Sequence, residues 1–322
     1  MEPRRRNVII IVFVLSVLFI IGIFLAVFLT RENAPHDEIS EEAPFDSPQA
    51  VAKVTSHYVT EASGICASRR HADVLYTHND SGDKARIYAI NAVNGLLLAV
   101  ISIKGIVSKD WEDIACGPCT NNYTDFCIYI ADTGGNAGGN AYTIFRIKEP
   151  AIVNDQTVEL DSFLKFSWWQ YDCETIMVDP TGEVYVVSKV CAGSHALFQL
   201  VPSSAWGLEN RTWVTGAVSV PITSQRLGPV GGDMSPDGRE ILLKTYESMY
   251  YWNIADDNYY EGIQKPPKVL PYREEPLGEA VGFALDGSGY YTLSEGTNAT
   301  LYFYKRAESS VSDVIDKKEE TS

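Results

Sequence analysis

A unit of short strands recurs five times between residues 51 and 306. Each unit opens with an acidic residue beside a short apolar strand, passes through a turn and returns in a second apolar strand. The opening acids lie 46 to 62 residues apart and are Glu61, Glu112, Glu174, Asp233 and Glu279. Runs of β-branched and aromatic residues bounded by Gly, Pro, Asn and Asp indicate strands and turns, and no segment shows a sustained helical period.

These units predict an all-β fold, a β-propeller of five blades. A repeat of about 40–50 residues that holds four strands is the propeller period. The fifth unit lacks an outer strand after Arg306, and the unassigned strand at 51–58 is predicted to supply it and close the ring. A six-bladed ring and a β-sandwich are the alternatives, although a sandwich would not require regular spacing or recurring acids.

An apolar run precedes the strands. It covers 22 residues from Val8 to Leu29, and about 20 helical residues span a bilayer core of roughly 30 Å. Three arginines at 4–6 precede the run and acidic residues follow it, so the positive-inside bias leaves the N-terminus in the cytoplasm. The sequence therefore predicts a type II single-pass membrane protein with a cytoplasmic tail at 1–7 and a signal anchor at 8–30. A cleaved signal peptide is the alternative, but its apolar region is only about 7–15 residues long.

The segments on either side of the strands are polar. Residues 31–50 are acidic, contain three prolines and show no apolar periodicity, which predicts a disordered stalk. Residues 307–322 are charged and predict a disordered tail, so the propeller domain itself is expected at 51–306, facing the extracellular or luminal side. The net charge of −16 argues against nucleic-acid binding, which needs a basic footprint.

Cysteine content and glycosylation sequons also favour an oxidising compartment. All six cysteines follow the apolar run, and disulfides persist in secreted and surface domains. Three N-x-[ST] sequons predict N-glycosylation at Asn122, Asn210 and Asn298.

Two disulfides are predicted from the positions of cysteines around turns. Cys173 and Cys191 flank a predicted hairpin, which would place them opposite each other and close enough to bridge. By the same logic Cys116 and Cys127 flank a loop that holds Cys119, which is left to reach Cys66. Zinc at the C-x-x-C of 116–119 is the alternative, although no second such pair completes the site.

The motifs of the chain together resemble a known family. They are Glu61-Ala-Ser-Gly-Ile65, Tyr76-Thr-His-Asn-Asp-Ser-Gly-Asp83, Asp110-Trp-Glu-Asp-Ile-Ala115, Ile130-Ala-Asp-Thr-Gly-Gly-Asn136, Met234-Ser-Pro-Asp-Gly238 and Leu293-Ser-Glu-Gly296. Over residues 60–305 the chain resembles secreted bacterial propeller proteins, with animal relatives, that carry a D-W-E-D-I-A segment. The resemblance implies the propeller fold but does not assign an activity. A more distant likeness, of architecture only, is to calcium-dependent lactonase-like propellers of the regucalcin and paraoxonase type, which hold a metal with Glu, Asn and Asp near the central channel.

The propeller geometry predicts where polar side chains meet. The first strand of a blade lines the channel and the second runs back beside it, so first-strand starts and second-strand ends open on one face, here called the mouth. First-strand starts contribute Glu61, Asp110, Glu112, Asp113, Asp172, Glu174, Asp233 and Glu279. Second-strand ends contribute His78, Asn79, Asp80, Asp132, Ser188, Lys189, Lys244, Tyr246 and Glu295.

So many carboxylates in one place repel each other unless a cation, lysines or shared protons intervene. Calcium takes 6–8 oxygen ligands, and the predicted ligands are Glu61, Asn79, Glu112, Asp132, Glu174 and Glu279. Eight further groups at the mouth are predicted to contact a bound ligand, namely Asp80, Asp110, Asp113, Lys189, Asp233, Lys244, Tyr246 and Glu295. The alternative is structural: the acids would cap loops, accept from backbone N–H groups between blades and pair with Lys189 and Lys244.

Two classes of function follow from this mouth. The first is a surface protein that binds a protein, glycan or small-molecule ligand there. The second is a calcium-dependent hydrolase of an ester, lactone or phosphoester. Catalysis has little support because the chain has no G-x-S-x-G nucleophile motif, and His78 is the only histidine at the mouth that could act as a general base. Ligand binding is therefore the preferred interpretation.

Overall fold

A computed structural model describes residues 43–119, 122–135, 141–170, 172–190, 195–222, 226–254 and 256–308. Within these ranges no helix has both the length and the apolar character needed to cross a bilayer. The predicted cytoplasmic tail and signal anchor, most of the stalk and nearly all of the C-terminal tail lie outside the described residues.

The described residues contain 22 strands, numbered β1 to β22 in chain order, in five sheets of four or five strands. Blade 1 runs from the inside outward as β2 (Ala62–Ala67), β3 (Val74–Asn79), β4 (Arg86–Asn91), β5 (Leu97–Lys104) and β9 (Gln156–Glu159). Blade 2 runs as β6 (Trp111–Cys119), β7 (Asn122–Asp132), β8 (Tyr142–Lys148), β10 (Ser162–Ser167) and β14 (Thr212–Trp213).

Blade 3 runs as β11 (Cys173–Val178), β12 (Val184–Ser188), β13 (Leu197–Val201) and β15 (Val218–Ser219). Blade 4 runs as β16 (Gly231–Met234), β17 (Glu240–Lys244), β18 (Met249–Asn253) and β19 (Lys268–Leu270). Blade 5 runs as β20 (Gly278–Phe283), β21 (Gly289–Ser294), β22 (Ala299–Lys305) and β1 (Gln49–Val54). The described residues also hold a 3-10 turn at Ser203–Ala205 and a short helix at Tyr259–Gly262. The predicted all-β, five-bladed propeller is confirmed.

The ring closes as predicted, through a strand from the start of the domain. β1 pairs antiparallel with β22, with Gln49 opposite Phe303 and Val54 opposite Ala299. The closing strand begins before the predicted range of 51–58. Phe45 lies within the predicted disordered stalk, yet it is 2 % exposed and packs edge-on against Tyr290. The folded domain therefore starts earlier than predicted, because this aromatic side chain fills space between blades 4 and 5.

The core consists of the interfaces between neighbouring blades. Each of five clusters of buried side chains joins two adjacent blades, and together the five clusters run round the ring. The inner strands are buried throughout β2, β11, β16 and β20, since a blade has neighbours on both faces. This burial holds the first strands at fixed positions around the channel.

The predicted bond between Cys116 and Cys127 is wrong. Cys116 is bonded to Cys66, and Cys119 is bonded to Cys127. Cys66 and Cys116 lie in the core between blades 1 and 2, whereas Cys119 and Cys127 lie in the core between blades 2 and 3. The two cysteines predicted to pair thus point to opposite faces of blade 2, and neither cysteine of the C-x-x-C is free to bind zinc.

The predicted bond between Cys173 and Cys191 is also not formed. Cys173 is a buried free thiol, and Cys191 lies outside the described residues. The register places Ser188, and not Cys191, opposite Cys173. Of the predicted glycosylation sites, Asn210 and Asn298 are exposed, and the side chain of Asn122 is outside the described residues. N-glycosylation stays a prediction.

Candidate functional site: two carboxylate clusters at the mouth

A β-bulge near the start of the inner strand aims one side chain of most blades at the mouth. The register shifts in β2, β6, β11 and β20, and the residues left without a partner are Ser63, Glu112, Glu174 and Glu279. A bulge leaves one residue out of the ladder and redirects its side chain. In blade 4, β16 pairs without a shift and has Gly232 at this position. Three glutamates therefore share one structural position in three blades.

Five carboxylates from blades 1 to 3 form two overlapping groups. Cluster A consists of Asp80, Asp110 and Glu112, and cluster B of Glu112, Asp172 and Glu174. In each cluster, one oxygen from every side chain lies within 4.8 Å of the others. Calcium–oxygen distances of about 2.3–2.6 Å give that spacing between ligands on opposite sides of an ion. Each cluster therefore has the dimensions of a divalent-cation site, and Glu112 belongs to both.

Glu112 has the least favourable electrostatic environment of the five. Its side chain is 5 % exposed. Burial raises the pKa of Glu112 well above its usual range, and repulsion from Glu174, Asp80, Asp172 and Asp110 raises it further. Among the described residues, no Lys, Arg or His forms an ion pair with Glu112 or Asp80. A buried carboxylate in such surroundings needs a proton or a cation.

Asp80 and Glu174 each keep a buried oxygen, Oδ1 and Oε2 respectively, that has no hydrogen-bond partner among the described residues. Burial raises the pKa of Asp80 to about 6, and Glu279, Asp110 and Glu61 add to the increase, whereas its hydrogen bond from Ser81 opposes it. Unpaired buried carboxylate oxygens are costly in a folded protein. A cation bound at either cluster would give the oxygen there a partner.

Cluster B has a basic partner. Lys189, which follows β12, donates through Nζ to Oε1 of Glu174, and the exposed fractions of the two side chains are 14 % and 6 %. Burial lowers the pKa of Lys189, but attraction to Glu174, Asp172 and Glu112 outweighs burial and raises it. The predicted pairing of a mouth lysine with a mouth carboxylate is thus present between Lys189 and Glu174.

A glycine brings the backbone against cluster A. A Cβ atom at Gly134 would lie 1.9 Å from Oε1 of Glu112 and 2.3 Å from Oδ2 of Asp110. The Gly134 N–H donates to the Asp110 carbonyl at 3.2 Å. No larger residue fits this place, so Gly134 allows close packing against cluster A at the mouth. The sequence offered the segment around Gly134 only as part of a family resemblance, and the fold shows that this glycine faces Glu112 and Asp110.

Four of the six predicted metal ligands lie in neither cluster. Glu61 is exposed and two residues ahead of the bulge. The Oδ1 atom of Asn79 accepts from the N–H groups of Thr60 and Glu61 at 3.0 and 3.1 Å, so this side chain orders the loop before β2. Asp132 accepts from the Asp110 N–H at 2.9 Å.

Glu279, the fourth, is held by two hydroxyl groups. Its Oε1 accepts from Tyr246 at 2.6 Å and its Oε2 from Ser63 at 3.1 Å. The predicted ligands Glu112 and Glu174 do lie in the clusters. Asp80 and Asp110, predicted as ligand-contacting groups, complete them together with Asp172.

Three residues predicted to contact a ligand are buried in the structure. Asp113 and Asp233 are 0 % and 4 % exposed and accept from backbone N–H groups of neighbouring blades. Lys244 is 0 % exposed and lies 3.5 Å from Glu275. Tyr246 lies near the mouth through its bond to Glu279. Glu295 follows β21 there, and burial together with Glu279, Asp80 and Glu61 raises its pKa to about 7 despite the opposing effect of Lys189.

His78 is not placed to act as a general base. It is 0 % exposed, its Nδ1 lies 2.9 Å from the Asn79 carbonyl, and its ring packs edge-on against Trp111. Burial lowers the pKa of His78 to about 4, although its hydrogen bonds and Asp83 oppose the decrease. The side chain therefore belongs to the core between blades 1 and 2.

Comparison with known proteins adds little beyond the fold. No protein-family model matches the chain, and no curated protein matches it. Among solved structures the chain is similar to hydrazine synthase of Kuenenia stuttgartiensis, with 10 % identity and a TM-score of 0.41 over 79 % of this chain and 97 % of that one. A likeness this distant carries no functional argument. The class that the fold and site define is a five-bladed propeller with paired carboxylate clusters at its mouth.

Proposed function

We propose that this chain is a membrane-anchored binding protein whose mouth holds a divalent cation and binds an extracellular or luminal ligand through it. The observation that carries the proposal is Glu112, which is buried among four other carboxylates and forms no ion pair with a described residue. A cation at cluster A would neutralise this charge. It would also give a ligand a positive point to bind in an otherwise acidic surface.

Calcium is the first candidate for the ion. All five cluster side chains offer carboxylate oxygens and no sulfur or imidazole, and hard oxygen ligands favour calcium or magnesium over transition metals. The three side chains of cluster A supply fewer than the 6–8 oxygens that calcium takes. The remaining positions would fall to water and to the ligand, whose class we take to be a protein, glycan or small molecule with exposed oxygens.

The proposed placement in the cell rests on the sequence and is consistent with the disulfides. The 22-residue apolar run and the preceding arginines favour a type II signal anchor. Two disulfides within the propeller fit an oxidising compartment. In this arrangement the propeller is extracellular or luminal, where calcium is abundant enough for a weak site to fill.

Hydrolysis is the less supported function. A bound cation can activate water, but the histidine expected to serve as the base is in the core. A panel of ester, lactone and phosphoester substrates tests this directly. Calcium-dependent turnover that Glu112→Gln abolishes would replace the binding proposal with an enzymatic one.

Calcium titration of the purified full chain tests the proposal. Calorimetry should show binding, and the melting temperature should rise with calcium and fall back with EDTA, since a ligand at 100 times its Kd stabilises by about 2.7 kcal/mol. Glu112→Gln should weaken binding roughly tenfold or more because it removes one charged ligand. Glu279→Gln is the matched control, with the same residue type at the same bulge position outside both clusters. No calcium binding by the wild type, or equal loss in both variants, would refute the site.

A further inference from the structure

We infer that Lys189 is a built-in cation that occupies cluster B, so that the wild-type mouth takes one divalent cation where its carboxylates could hold two. The inference rests on the proposed cation site and concerns how that site is limited. It is carried by the different surroundings of the two clusters.

The two clusters offer similar donors. Each has two aspartate or glutamate side chains of its own and shares Glu112, and each has its three oxygens within 4.8 Å of one another. A carboxylate has two oxygens and can bridge two ions. By donor number and spacing alone, the mouth could therefore hold a pair of cations that share Glu112.

The two clusters differ in their contact with a lysine side chain. Lys189 bonds to Oε1 of Glu174 and is attracted by all three carboxylates of cluster B. Neither Asp80 nor Glu112 has an ion pair with a described basic residue. The lysine ammonium therefore supplies Glu174 in cluster B with a positive charge that Asp80 in cluster A does not receive from any described basic residue.

The lysine satisfies cluster B incompletely. Oε2 of Glu174 is buried without a hydrogen-bond partner in the described part of the chain, and the Glu174 side chain is 6 % exposed. An ammonium group has three donors in a compact head, whereas a divalent cation would contact oxygens from all three side chains at once. Removal of the lysine should therefore leave a site that a divalent cation fills.

The experiment is a count of bound calcium in the full chain. Equilibrium dialysis with calcium alone, followed by elemental analysis, should give one calcium per chain for wild type and two for Lys189→Met. Lys189→Arg keeps the positive charge and should stay at one. Lys189→Met combined with Glu174→Gln removes a carboxylate of cluster B as well and should return the count to one.

Each result separates this inference from the proposed function. No calcium in wild type refutes the cation site itself. One calcium in both wild type and Lys189→Met, or two in wild type, refutes only the role of Lys189. If circular dichroism shows that Lys189→Met does not fold, Lys189→Gln, which keeps a hydrogen bond to Glu174 without the charge, is measured instead with the same expectation of two.

Discussion

Asp113 and Asp233 make the same pair of hydrogen bonds in two different blades. In each, Oδ1 accepts from the N–H of the next residue at 2.8 Å. The Oδ2 atoms accept from the inner strand of the following blade, at 2.9 Å from Ile176 N and 2.8 Å from Phe283 N. Each carboxylate thus joins two neighbouring first strands, blade 2 to blade 3 and blade 4 to blade 5.

Loss of the Asp113 carboxylate should destabilise the fold. Asp113→Ala leaves two backbone N–H groups buried without acceptors, each worth about 1–3 kcal/mol, so the free energy of unfolding should fall by about 2–5 kcal/mol. Chemical denaturation measures this. Asp286→Ala, which removes an aspartate that accepts from Ser288 N–H in an exposed turn, is the control and should cost less than about 1 kcal/mol. Equal losses would show that Asp113 does not hold the blades together.

Asp233 should make stability depend on pH. Burial raises its pKa to about 6, although Arg69 and two backbone N–H groups oppose the increase, and the unfolded value is about 3.9. Since the folded pKa is the higher one, this contribution to stability is full below pH 4 and is lost as pH rises through 6. The lost amount is about 3 kcal/mol, from about 1.4 kcal/mol per pKa unit.

Asp233→Asn isolates that effect. Between pH 4 and pH 7 the unfolding free energy of wild type should fall relative to the variant by about 2–3 kcal/mol. Denaturation curves at several pH values give the difference. Asp237→Asn, in an exposed turn, serves as a comparison. Partial burial raises the pKa of Asp237, but hydrogen bonds from Ser235 and from the Arg239 N–H outweigh burial and lower it. A constant difference between wild type and Asp233→Asn would contradict the expectation.

Phe45 should contribute as much to the stability of the fold as an ordinary core residue. Phe45→Ala empties a buried aromatic position next to Tyr251, Phe283 and Tyr290, which typically costs about 3–5 kcal/mol. Thermal and chemical denaturation measure it. Val51→Ala in β1, where the side chain is 37 % exposed, is the matched change and should cost far less. If Phe45→Ala is as stable as wild type, Phe45 belongs to the predicted disordered stalk and not to the core.

The Cys173 thiol should not react with alkylating reagents in the native protein. It is fully buried, and burial raises the pKa of its thiol well above the usual range, which suppresses the reactive thiolate. Iodoacetamide should modify it only after denaturation, without any need for reductant, as read by peptide mass spectrometry. Cys66, Cys116, Cys119 and Cys127 should require reductant as well. If Cys173 also requires reductant, it is disulfide-bonded and the predicted pairing with Cys191 becomes the favoured one.

The overall fold was predictable because the same strand unit repeats along the sequence. Five strand units with similar spacing defined five blades, and the missing outer strand of the last unit pointed to closure by the first. The disulfides were not predictable in the same way. Pairing depends on which face of a blade each cysteine occupies, and the partner of Cys116 is Cys66, which lies 50 residues away on the neighbouring inner strand.

The site was half predictable. Strand geometry predicted that Glu112 and Glu174 lie together at the mouth, and the structure brings both into carboxylate clusters, but the prediction aligned them with Glu61 and Asp233. The strand registers show that Ser63 in blade 1 and Gly232 in blade 4 occupy the position of Glu112. Asp233 instead occupies the position of Asp113. One residue of register moves a side chain from the channel to the core, and a bulge has no sequence pattern that reveals it.

The pairing of β1 with β22 has a consequence for the order of assembly. Gln49 and Phe303 are opposite each other across this pair, so nearly the whole length of the domain separates two residues that must meet. Contacts between residues so far apart in sequence form late and slowly, because the entropy of closing the loop is lost before the contact contributes any stabilising free energy. During synthesis the residues of β1 are made long before those of β22, so we expect the pairing that closes the ring to be among the last contacts to form.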